Sequence, residues 1–61
     1  MTRRQAGILA LLARGPMTTF TLAQALDERM IDVATDLNKL TAAGVVVHTE
    51  DGWALTNKVA A

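Results

Sequence analysis

Asp32 and Asp36 stand four residues apart in a stretch with helical apolar spacing, and two carboxylates on one helix face are the usual raw material of general acid–base chemistry. A pair alone is more commonly a solvated surface, and little around it would complete a catalytic site. The chain has no Ser, Cys or Tyr, so a hydroxyl nucleophile would have to be a threonine, and no threonine has a histidine placed by motif to activate it. His48 is the single histidine, and one imidazole without a second ligand reads as structural or solvent-facing rather than metal-binding. Nor is there a glycine-rich phosphate loop. The reading is therefore no enzyme, no metal and no cofactor. Arg29 and Lys39 remain as groups that could each neutralise a phosphate, or pair locally with Glu28, Asp32 or Asp36.

The elements that must position these groups follow from apolar spacing and capping signals. Thr2, with Gln5 three residues on, resembles a capping box, and Ile8, Leu9 and Leu12 recur on one face, so the first helix runs over about 3–14, where Gly15-Pro16 ends it. Gly7 inside it either weakens the helix or marks a close helix contact. Met17 plugs the core, and Thr18 caps a second helix over 19–26 carrying Phe20, Leu22, Ala23 and Leu26. Asp27-Glu28-Arg29 is a turn in which Asp27 takes the left-handed backbone. Met30, Val33, Leu37, Leu40 and Gly44 are spaced three, four, three and four, which gives a third helix over 30–43 with those residues toward the core.

Gly44 is a natural C-cap, and the β-branched run from Val45 to Thr49 begins a hairpin over 45–56. Asp51-Gly52 is a favoured two-residue turn dipeptide; with the turn there, Glu50 pairs with Trp53, Thr49 with Ala54 and His48 with Leu55. Val46, Trp53 and Leu55 then face the core, and Asn57 to Ala61 form a frayed tail.

Sixty-one residues make one domain. Such a short chain buries only about 60% of its unfolded surface, which sets its stability on the order of 3 to 9 kcal/mol. Half the residues are apolar, too many for a disordered segment, yet the run Ala6 to Ala13 falls short of the roughly 20 residues that span a bilayer. Arg3-Arg4 before that run imitates a secretory signal, but cleaving it would remove the first helix and leave too little core. The absence of cysteine excludes disulfides and thiolate metal sites and is compatible with the cytoplasm, where this reading places the chain.

Formal charge is zero but unevenly spread: Leu22 to Thr56 holds Asp27, Glu28, Asp32, Asp36, Glu50 and Asp51 against Arg29 and Lys39. Arg3 and Arg4 lie in the first turn of the first helix, where the helix dipole disfavours them, so they either form a solvated face or meet an external anion. Phe20 is out of phase with Leu22 and Leu26; it either completes the core or stands with Ile31 in an exposed apolar patch.

Two helical patterns joined by a short polar turn, then a glycine and a hairpin, resemble the winged helix-turn-helix family, notably small bacterial, archaeal and phage DNA-binding regulators. The likeness rests on Ile8-Leu9-Ala10-Leu11-Leu12, Leu22-Ala23-Gln24-Ala25-Leu26, Val33 to Gly44, and Trp53-Ala54-Leu55-Thr56. It implies an α+β fold of three helices followed by a two-stranded β-hairpin wing, with the third helix in the major groove of double-stranded DNA. By this resemblance Ala34, Thr35 and Asn38 would face bases, while Thr18, Thr19, Arg29 and Lys39 would face phosphates. Ile31, Asp32 and the Glu50-Asp51 tip depart from the family's usual small polar or basic residues. They keep open a second reading, a protein-interaction or dimerisation module using Phe20, Ile31, Asp32, Asp36, Glu50 and Asp51. A homodimer fits either reading.

Overall fold

The computed structural model describes residues 1–59 and is an α+β domain: three helices followed by a two-stranded antiparallel hairpin and one further helical turn. Helix α1 spans Arg3–Leu12, α2 Thr19–Leu26 and α3 Met30–Ala42; strands β1 and β2 are Val46–Thr49 and Gly52–Leu55, and α4 is Thr56–Val59.

Local chemistry accounts for the starts of α1 and α2 and for the ends of α2 and α3. Thr2 forms the expected capping box, its hydroxyl accepting from the Gln5 N–H while the Gln5 amide oxygen accepts from the Thr2 N–H. Two otherwise unpaired donors at the start of α1 are thereby satisfied. Thr18 caps α2 in the same manner, accepting from the Thr21 N–H at 3.2 Å. Asp27 takes the left-handed conformation at φ 55°, and the Glu28 N–H returns to the Ala23 carbonyl, so the turn into α3 costs no buried polar group. Gly44 ends α3 likewise, with the Val45 N–H on the Leu40 carbonyl.

Ile8, Leu12, Leu22, Ala23, Val33, Leu37, Leu40 and Val46 form the core, flanked by Leu9, Leu11, Met17, Leu26, Trp53 and Leu55. The role of Gly7 is a close helix contact: a Cβ there would lie 2.8 Å from the Leu26 Cδ2. Met30, expected in the core from its phase, is instead 49% exposed. It occupies the first turn of α3, where a side chain leans toward the helix N-terminus and so past the edge of the packed layer.

The hairpin register also differs from expectation. Val46 pairs with Leu55, Val47 with Ala54, His48 with Trp53 and Thr49 with Gly52, so the two turn residues are Glu50 and Asp51 rather than Asp51 and Gly52. The shift is two residues on one strand, an even number, so Val46, His48, Trp53 and Leu55 still share a face. A third segment explains the choice. Met17 and Trp53 exchange backbone hydrogen bonds of 3.0 and 2.7 Å, which adds Met17 as a one-residue strand beside β2. Gly52 abuts that bridge: a Cβ on it would lie 2.6 Å from the Met17 carbonyl oxygen, and its φ is +115°. Only glycine satisfies both conditions, so Gly52 is held in the strand.

Thr56, expected in the second strand, opens α4 instead, and Asn57 to Val59 continue that helical turn where a frayed tail was expected; Ala60 and Ala61 lie outside the described residues. Among the described residues no helix is long and apolar enough to cross a membrane, and no group of three or more His, Asp or Glu side chains is arranged to hold a metal ion.

Candidate nucleic-acid interface

Helix α3 divides into two flanks. Val33, Leu37 and Leu40 are buried against the other helices, while Ile31, Thr35, Asn38 and Ala42, spaced four, three and four, form an exposed row on the opposite side. Lys39 is exposed beside Asn38, and Ala34 is half-buried at the edge of the row. From Ile31 to Ala42 the row is about 16 Å long at 1.5 Å per residue. The base-facing candidates Ala34, Thr35 and Asn38 therefore lie together on one helix side. Thr35 uses its hydroxyl proton internally, donating to the Ile31 carbonyl at 2.9 Å, which leaves its methyl and its oxygen lone pairs for outside contacts.

The phosphate-facing candidates are more dispersed. Thr18 is exposed, but its hydroxyl caps α2 and donates to the Thr21 hydroxyl at 3.0 Å. The Thr19 hydroxyl oxygen accepts from the Trp53 indole N–H at 3.0 Å, tying the start of α2 to the hairpin. Trp53 thus joins α2 and β2 as well as packing on the core, and His48 leans against its ring at a centroid distance of 4.6 Å. Lys39 and Arg29 are the cations on or beside α3. Arg29 donates from Nε to Asp32 Oδ2 at 2.9 Å and from Nη2 to Asp32 Oδ1 at 3.3 Å, so local pairing with Asp32 is realised.

Asp36 corrects the sequence reading most sharply. Expected on the surface as part of an acidic interface, it is 2% exposed and turned toward α1. The Arg4 Nε donates to its Oδ2, and the Gln5 side-chain amide donates to its Oδ1 at 3.2 Å. Arg4 also lies 3.6 Å from a Glu28 carboxylate oxygen and 4.0 Å from one of Asp32. Its guanidinium is thus engaged within the fold rather than forming a solvated face: it binds α1 to the α2–α3 turn and to α3. The Arg4 hydrogen bond outweighs burial and holds the Asp36 carboxyl below the usual carboxylate range, with Gln5 adding to the effect. Asp32 is lowered too, chiefly by its hydrogen bond from Arg29.

The residue type of Asp36 argues for the surface, against its burial. The signal that could have found it is its helical phase, since Asp36 is three residues from Val33 and four from Leu40, both core positions.

The apolar alternatives resolve toward the surface: Phe20 and Ile31 are both exposed. Elsewhere, an open groove of about 460 Å³ is lined by Leu9, Gly44, Val45, Leu55, Thr56 and Asn57, and none of the recognition candidates lines it. No protein-family model, curated protein or solved structure matches the chain.

Proposed function

We propose that this chain is a winged helix-turn-helix module that binds duplex DNA with α3 in the major groove. The supporting observation is the absence of carboxylates from the exposed side of α3 between Thr35 and Ala42, a consequence of Asp36 turning inward to Arg4. Read along the sequence, this half of the chain is acidic; with Asp36 withdrawn, the outer side of that stretch presents Thr35, Asn38, Lys39, Thr41 and Ala42, all neutral or basic. A groove about 12 Å wide admits one helix. Asn38 would then pair an adenine edge, and Ala34 and the Thr35 methyl would pack on thymine methyls. Lys39 would neutralise a phosphate, and the start of α2, with Thr18 exposed and Thr19 half-buried, would lie along the backbone.

The test is fluorescence anisotropy of a labelled random-sequence duplex titrated with the protein at several salt concentrations. Two cationic contacts, Lys39 and Arg29, predict that log K falls with log salt at a slope of about −2. Absence of binding at about 50 mM salt, where counterion release is strongly favourable, would overturn the reading.

A second reading has its own observation: Phe20, Met30 and Ile31 are large apolar side chains that are all exposed. Such residues suit a protein partner or a second copy of the chain. On that reading Ile31→Glu abolishes association in analytical ultracentrifugation; sedimentation unchanged from a self-associated parent would count against it.

A further inference from the structure

Resting on the DNA-binding reading, we propose that Arg29 is an exchangeable phosphate contact: an approaching phosphodiester takes its guanidinium from Asp32, and Arg4 keeps the vacated carboxylate neutralised. Three observations carry this. The two ends of the pair differ in exposure, the Arg29 side chain being 79% exposed and that of Asp32 29%, so the cation sits outside the anion it holds. The pair is two-pronged, through Nε and Nη2, and a phosphate presents two oxygens that fit the same fork, so the exchange replaces one bidentate acceptor with another. Finally, Asp32 has a second cation in place, with Arg4 Nη1 at 4.0 Å from its Oδ2. Release of Arg29 therefore leaves no orphaned carboxylate.

Position agrees with the assignment. Arg29 is the residue immediately before α3, two residues ahead of Ile31, where the exposed row begins. Lys39 lies near the other end of that row, so the two cations would bracket the base-facing residues. The opposing cost is small, since an exposed ion pair competes with a phosphate by no more than about 5-fold in affinity.

Four proteins test the proposal: the parent chain, Arg29→Gln, Asp32→Asn and the double variant, each checked for folding by circular dichroism and titrated against the same duplex over a range of KCl. Arg29→Gln should flatten the salt slope by about 0.9. Asp32→Asn should tighten binding, by up to about 5-fold from removal of the competing pair, and this gain should shrink in the Arg29→Gln background. A parent that binds while Arg29→Gln leaves the slope unchanged overturns the exchange and spares the DNA-binding reading. So does an equal Asp32→Asn gain in both backgrounds, which would mark a long-range charge effect. Failure of all four proteins to bind would overturn both. Inorganic phosphate at matched ionic strength separates the sources: an Arg29 Nε–Hε resonance that moves with the free ion and not with duplex would also overturn the proposal.

Discussion

Replacing Gly52 by alanine tests how the hairpin is fixed to the helical layer. The substitution imposes two penalties that can be separated. At φ +115° an L side chain is strained by about 1 to 3 kcal/mol. The new Cβ would also lie 2.6 Å from the Met17 carbonyl oxygen and 2.7 Å from its carbon, and these are backbone atoms that cannot swing aside as a side chain would. Relief requires opening the Met17–Trp53 bridge, whose two hydrogen bonds are each worth about 0.5 to 1.5 kcal/mol. The expected loss is about 2 to 6 kcal/mol, a large share of a stability on the order of 3 to 9 kcal/mol. Gly44→Ala is the matched control: its φ is +80° but nothing lies within 4 Å of the added Cβ, so it carries the strain of about 1 to 2 kcal/mol alone. Urea unfolding followed by fluorescence of Trp53, the sole tryptophan and a bridge partner, reads both variants. If Gly52→Ala proved no more destabilising than Gly44→Ala, the steric account of the hairpin register would be refuted.

Three other outcomes follow from the packing and the ion pairs. Leu37→Ala removes a fully buried side chain and should cost about 2 to 5 kcal/mol, read as a large drop in the midpoint of the same urea assay. Asp36 is ionised in the fold at a lower pH than in the unfolded chain, so its contribution is fully present above the ordinary carboxylate range and is lost as pH falls through its depressed value. Melting temperature should accordingly fall below about pH 4, and less steeply in Asp36→Asn; equal pH profiles would contradict the role assigned to the Arg4 pair. Asn38→Ala should relax sequence preference among duplexes by about 1 to 3 kcal/mol at one position, whereas Lys39→Gln should weaken binding to all sequences alike; the reverse pattern in a panel of competitor duplexes would reassign the two.

Sequence reasoning succeeded where the determinants are local. The Thr2 capping box, the Thr18 cap and the left-handed Asp27 each depend on residues within one turn, and all three are present. The buried flank of α3 was legible because Val33, Leu37 and Leu40 repeat at helical spacing. The misreadings depend on contacts remote in sequence. Asp51-Gly52 is a favourable turn in isolation, and what excludes it is Met17, thirty-five residues earlier than Gly52, pressed against that glycine. Asp36 reads as a surface acid until Arg4, thirty-two residues away, is placed over it. Met30 has the phase of a core residue but lies beyond the layer that would cover it. For the candidate interface, the side of α3 that faces outward was legible, and its local charge was not, because that depended on where one carboxylate turns.

The arrangement at Arg4 also constrains how this chain can diverge. One guanidinium serves Glu28, Asp32 and Asp36. A lineage that lost the arginine alone would strand a buried anion among like charges, whereas joint replacement of residues 4 and 36 by aliphatic side chains could preserve or even raise stability. Positions 4 and 36 should therefore drift as a linked pair among descendants of this sequence, while Thr35 and Asn38, free of such bonds to the interior, can vary one at a time.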